Sequence, residues 1–388
     1  MADCIIPEGY KETVLGVIPK DWEVKVLGDL CDSIKSGNNK EKVNKGKYPV
    51  YGSTGIIGYT DISVYDGLMI LIARVGANAG FTYCVDGKYD VSDNTLILNV
   101  KSCYNFNFAY NQLLFYNLNK LVFGSGQPLV TAGQLKSLKI LLPSLSEQQK
   151  IAEIFNVWDK AIEKQTQLIE KLELHKKGLM QQLLTGKKRL PGFSGEWKKI
   201  AIKDFAIEVS LKNNRNENWE VLSCTKYDGL VPSLQYFGRQ VFSKYVTQYK
   251  VVPQYCFAYA TNHIEEGSIG YQSTYRNALI SPMYTVFKTD SNVVDDIFLY
   301  KLLKSHRAIY LYNVMMEGSI DRRGGLRWDN FSTIKFLLPG IKEQSAIADI
   351  LVFCDNEILL AKQKLNRFQQ QKKGLMQVLL TGKKRVTQ

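Results

Sequence analysis

Along two stretches of this chain, apolar residues recur in alternating steps of four and three. In the first stretch they are Ile151, Phe155, Trp158, Ile162, Ile169, Leu172, Leu179 and Leu183, with Gln165 and Lys176 completing the series. In the second they are Ile347, Leu351, Cys354, Ile358, Ala361, Leu365, Phe368, Leu375 and Leu379, with Lys372 as the polar member. That spacing is the seam of a coiled coil. Each stretch predicts one helix of about 38 residues, roughly 57 Å long at 1.5 Å per residue, too long for an ordinary globular helix. Two such seams in one chain most simply pack against each other. Lys176 and Lys372 stand at the same place in both. Either a buried polar residue fixes register there, or the seam opens to solvent.

The two helices are copies. Leu142-Pro143-x-x-x-Glu147-Gln148-x-x-Ile151-Ala152-x-Ile154 returns 196 residues later as Leu338-Pro339-x-x-x-Glu343-Gln344-x-x-Ile347-Ala348-x-Ile350. At the same offset, Leu183-Leu184-Thr185-Gly186-Lys187-Lys188-Arg189 returns as Leu379-Leu380-Thr381-Gly382-Lys383-Lys384-Arg385. Glu147 and Glu343 suit the positive end of a helix dipole. Gly186 and Gly382 suit a left-handed C-terminal cap, with cations just beyond it.

What precedes each copy has diverged. Each variable unit opens on a tryptophan-led strand, after Trp22 and after Trp197, and closes on a strand, Leu138–Leu142 or Ile334–Leu338. Between them lie short β-type runs at Met69–Ala73, Thr95–Val100, Glu220–Ser223 and Tyr284–Phe287, and helix-compatible stretches at Phe106–Asn119 and Asp296–Asn313. The fold class expected is α+β, with domains at 1–143 and 190–339 and helical segments at 144–189 and 340–388.

Hydrophobic content of 45% lets each half bury a core, and a net charge of +13 points to a polyanionic partner, nucleic acid ahead of membrane. Eight basic residues and no acidic one lie between Ile358 and Gln388. Seven scattered cysteines without a CxxC pair, and three scattered histidines, fit reduced thiols and no metal centre. The N-terminus lacks a leader pattern, and the longest apolar run, Leu68–Ala73, is far short of a membrane span; a cytoplasmic location is expected. Catalytic signatures are missing. All ten prolines are isolated, which excludes an Asn/Asp-Pro-Pro-Tyr amino-methyltransferase motif, and there is no phosphate loop. Asp21-Trp22-Glu23-Val24-Lys25 is a chance likeness to a nuclease core.

The duplicated Leu-Pro-x-x-x-Glu-Gln-x-x-Ile-Ala helices and Leu-Leu-Thr-Gly-Lys-Lys-Arg ends, with unlike units between them, make the chain resemble the specificity subunits of type I restriction-modification systems over essentially its whole length. Tyr48–Tyr59, Ala73–Gly80, Ser92–Thr95, Val221–Thr225 and Gly267–Gly270 are similar to common target-recognition segments. The resemblance implies two globular α/β target recognition domains joined by two long antiparallel coiled-coil helices, a pseudo-twofold internal repeat. It implies a non-catalytic subunit that reads a bipartite double-stranded DNA target. Two modification (methyltransferase) subunits would dock on it, and restriction (translocase and nuclease) subunits would join. S-adenosylmethionine would sit on the methyltransferase, with no cofactor or metal on this chain. Two unlike readers imply an asymmetric target.

Phosphate contacts call for Lys, Arg and amides, and base reading calls for forked side chains on loops. In the first domain the candidates are Lys35, Asn38, Asn39, Lys40 and Lys42 on a basic loop, then Arg74, Asn78 and Asn94, and Gln127 at a glycine-flanked turn. In the second they are Lys212, Asn214, Arg215, Asn262, Arg276 and Asn277, with Arg322, Arg323 and Arg327 in a glycine-rich cluster. The competing reading of the loops is plain solvation, and of the cluster an Asp321–arginine ion pair. Three rival functions stand beside the main one: a self-sufficient methyltransferase or nuclease of unusual sequence, a structural coiled-coil scaffold with degenerate recognition domains, and a specificity subunit of a methylation-only system.

Overall fold

The computed structural model describes residues 6–40, 45–123, 128–317 and 325–386. They form two compact units, one of Met1–Gln167 with Gln363–Gln388, the other of Leu168–Lys362.

In the first unit a four-stranded antiparallel sheet runs in the order Cys31–Ser36, Thr95–Val100, Met69–Ala73, Thr82–Val85. Met69–Ala73 and Thr95–Val100 are the strands that the apolar runs predict, and Ile70, Ile72, Leu96 and Leu98 are buried in the core. The helix Phe106–Tyr116 follows, its first turn held by the Asn105 side chain, which accepts from the Phe108 N–H; it ends at Asn117 in the left-handed region. The strand after Trp22, Glu23–Val26, pairs antiparallel with Lys139–Leu142.

The second unit repeats this frame. Its sheet runs Ala206–Glu208, Tyr284–Thr289, Cys256–Ala260, Ile269–Gln272, antiparallel throughout. Lys198–Ala201 pairs with Lys335–Leu338. The Asp296–Asn313 stretch forms two helices, Asp296–Leu303 and His306–Glu317, because Ser305 interrupts it: its hydroxyl accepts from the Ala308 N–H and starts the second helix. The expected Glu220–Ser223 strand lies at Leu222–Thr225, in a hairpin with Gly229–Pro232. The peripheries differ. The first unit adds the pair Tyr48–Gly52 and Gly55–Thr60, and the second adds Lys250–Pro253 paired with Asn277–Ile280.

Both long helices form, Leu145–Leu183 and Ile341–Leu379, 39 residues each. Every seam position is buried or half-buried. Within the first unit Trp158 meets Phe368 edge-on at 5.7 Å, and Lys372 Nζ reaches Asp159 at 2.5 Å. Within the second, Lys176 pairs with Asp355, which also takes Lys301, and Lys362 pairs with Glu173 at 2.6 Å. Glu147 pairs with Arg385 and Asp159 with Lys372 in the first unit, and Glu173 with Lys362 and Lys176 with Asp355 in the second, so rising numbers on one helix meet falling numbers on the other and the pairing is antiparallel. Asp159 and Asp355 are themselves equivalent residues of the repeat. The polar interruption is therefore a matched pair of ion pairs, and both lysine stems stay in the seam.

The repeated motifs at the helix ends act on each other. Glu147 is 6% exposed and accepts from Trp22 Nε1 at 3.0 Å and from both Nε and Nη2 of Arg385 at 2.8 Å. Arg385 also forks onto Asp21 at 2.8 Å. In the second unit Glu343 accepts from Trp197 Nε1 at 3.3 Å and from Arg189 at 2.6 and 2.7 Å. The nuclease-like fragment at Asp21-Trp22 thus belongs to this clamp. Gln148 donates to Pro143 O and accepts from the Asn105 N–H, while Gln344 does the same with Pro339 O and Asp295. Each glutamine ties the strand end before its long helix to the first turn of the helix behind the sheet. Gly186 and Gly382 have φ of 69° and 70°; a side chain on Gly382 would strike Pro19, and one on Gly186 would press on the Trp197 ring.

Candidate nucleic-acid interface

A polar cavity of about 450 Å³ opens in the first unit beside the turn that leads into Thr95–Val100. Asn39, Lys40 and Asn94, three residues expected to meet DNA, line it together with Ser53, Thr54, Ser92 and Asp93. Asn39, expected on the DNA-facing basic loop, donates its amide to Asp90 Oδ2 at 2.7 Å, which shapes that loop. Lys40 and Asn94 are exposed. Ser53 Oγ donates to Asn94 O, and the Arg74 N–H donates to the same carbonyl. Lys35 is exposed on its strand with Nζ over the Tyr65 ring at 5.5 Å. Asn38 and Asn78 are exposed and Arg74 is half-buried, outside this cavity. Lys42 and Gln127 lie outside the described residues.

In the second unit two adjoining cavities, about 360 and 420 Å³, share Thr261, Asn262, Met283 and Tyr284. Arg327 lines the larger, so Asn262 and Arg327 are brought together. Gly325, with φ 68°, passes so close that a Cβ there would lie 2.5 Å from Asn262 Oδ1. Lys212, Asn214 and Arg215 are exposed on a separate loop; Lys212 Nζ donates to Gln248 Oε1 at 3.4 Å. Buried Asn213 builds that loop by bonding both the N–H and the O of Glu217. Arg276 is exposed and Asn277 half-buried at the start of its strand; neither lines these cavities. Arg322 and Arg323 lie outside the described residues.

Sequence patterns do not single out Met283 or Lys304, and they mark Asp93 only as part of the Ser92–Thr95 segment. Lys304 lines a larger groove of the second unit, about 1140 Å³, with Lys176, Lys177, Lys187 and Arg307. Burial lowers the pKa of its ammonium, whose nitrogen has no hydrogen-bond partner and lies 5.6 Å from the centre of the Tyr300 ring. Among the described residues, one cluster offers metal-ligand atoms within 4.8 Å of one another: His263, Glu265 and Glu266, on an exposed 3₁₀ turn where His263 and Glu266 already pair. No described helix is long and apolar enough to cross a membrane.

One frame built twice, with the same clamp at both helix ends and unlike polar cavities on top, defines a two-site recognition protein carried on a helical scaffold. Residues 19–174 match the family model of the type I restriction modification DNA specificity domain. Over essentially its whole length the chain is similar to type I restriction enzyme specificity subunits. It is 27% identical to the type I restriction enzyme MjaVIII specificity subunit of Methanocaldococcus jannaschii, over 98% of this chain and 96% of that protein. It is 33% identical to the EcoprrI specificity subunit of Escherichia coli over 29% of this chain and 28% of that one. The crystal structure of the type I restriction-modification S subunit from M. genitalium shares the fold, with a TM-score of 0.61 over 94% of this chain and 97% of that chain at 17% identity.

Proposed function

We propose that this chain is the DNA sequence-specificity subunit of a type I restriction-modification complex. It reads an asymmetric bipartite target, one half-site by each unit, and scaffolds two modification subunits, with restriction subunits joining the assembly. The observation that carries this reading is the duplicated frame with unlike faces. A symmetric target would need like readers, and a plain scaffold would not need two differently lined polar cavities. The helix pair is the ruler that sets the gap between half-sites. S-adenosylmethionine binds the methyltransferase subunits, this chain carries no catalytic group, and the complex works in the cytoplasm.

The test is a genome-wide map of methylated adenine in cells holding this chain and its modification partner, against cells lacking only this chain. The expected result is one split motif with a fixed gap, about one helical turn between half-site centres. Identical maps would refute the reading.

A further inference from the structure

The register of the two sheets aligns the units residue by residue where sequence does not. Thr95 is paired with Ala73, and Tyr284 with Ala260, at the same corner of the same four-stranded sheet. The three residues before each are therefore equivalent turns, Ser92-Asp93-Asn94 after the strand Lys88–Val91 and Ser281-Pro282-Met283 after Asn277–Ile280. Their backbones agree. The Thr95 N–H donates to Ser92 O and the Tyr284 N–H donates to Ser281 O, both at 3.1 Å. Both turns line the cavities already described. Their chemistry is opposite.

In the first unit the turn offers a carboxylate and an amide. Asp93 has no side-chain partner among the described residues, although Lys40 lines the same cavity. Ser92 is 5% exposed, and its hydroxyl has no hydrogen-bond partner. A cavity walled by a carboxylate that has no side-chain partner among the described residues suits a ligand bearing N–H donors. On a base edge those are the exocyclic amines of adenine and cytosine. In the second unit the same position presents Met283, 60% exposed, beside Pro282. An exposed thioether on the rim of a cavity has no hydrogen bond to offer a base edge, and the matching apolar group in the major groove is the thymine C5-methyl.

We infer that these equivalent turns are the base-contacting elements of the two units: Asp93 and Asn94 take an amine-bearing base in one half-site, and Met283 takes a thymine methyl in the other. This rests on the DNA-reading function proposed above. The experiment is the methylated-motif map of the assembled complex carrying Asp93→Asn or Met283→Ala. Asp93→Asn is isosteric and adds a donor, so one position of one half-site should also admit the carbonyl-bearing guanine or thymine. Preference at that position should fall roughly 5- to 150-fold, the span of one good bidentate base contact, with the other half-site unchanged. Met283→Ala should relax one thymine of that other half-site and nothing else. The unaltered half-site is an internal control for folding. Variants that keep full preference, or variants that weaken both halves alike, would each overturn the inference. A wild-type complex that yields no split motif would fail the functional reading itself.

Discussion

Glu343 is 3% exposed, and its two oxygens meet an indole N–H and a guanidinium fork. Replacing it with alanine strands both donors. A fully buried pair broken on one side costs about 3–5 kcal/mol. The Arg189 side chain is 30% exposed and regains water, so Glu343→Ala should cost about 2 kcal/mol, read as a lower urea midpoint at unchanged slope. Asp355 gives a pH dependence. Burial pushes its carboxyl up, but the hydrogen bonds and charges of Lys176 and Lys301 outweigh that and leave its pKa below the usual carboxylate value of 3.8. A depressed folded pKa stabilises above the unfolded value, and that stability is lost as pH falls through the folded one. Asp355→Asn should therefore flatten the acid side of the stability curve below about pH 4 and leave its slope near neutrality unchanged. At this scale the sequence is half legible. The recurrence of Glu147, Gln148 and Arg385 at Glu343, Gln344 and Arg189 marks them as important. Nothing local pairs Glu147 with Arg385, because 238 positions separate them.

The long helices were the most legible elements, since a seam is a local periodicity that burial must obey. The two readings of Lys176 and Lys372 could not be separated from the seam alone. Their carboxylate partners lie on the opposite helix, and helical periodicity carries no information on its register. The Asp296–Leu303 and His306–Glu317 break was missed because apolar spacing continues across Ser305 while the cap does not depend on it. The recognition sheets were legible at Met69–Ala73 and Thr95–Val100 in the first unit and at Tyr284–Thr289 alone in the second, where the fully buried Cys256–Ala260 was missed. Inserting one heptad into both long helices at equivalent points keeps every seam residue on its face. The proposed ruler then predicts a wider gap between half-sites with both half-sites unchanged, measured as a new spacing in the methylated motif. An unchanged spacing would remove the ruler from the account.

For the molecule as a whole, duplication was plain from the constant offset, and the two diverged units hid a shared frame that only strand register discloses. The DNA-facing candidates were chosen by residue type, which cannot tell an outward amide from one spent within the fold; the Asn39 amide, bonded to the Asp90 carboxylate, is of the second kind. The composition of the units also sets an order of manufacture. Leu379 and Leu380 sit in the core of the first unit, Gln112 donates to Leu380 O, and Arg385 closes over Trp22's acceptor. The unit that leaves the ribosome first is thus completed last, by a segment made after the entire second unit. During synthesis Glu147 and the Trp22 pocket wait uncapped while residues 168–362 can already close. Pulse-labelled chains stalled after Lys373 should be cut by protease in the first unit and resist in the second, and release of the last turns should seal the first.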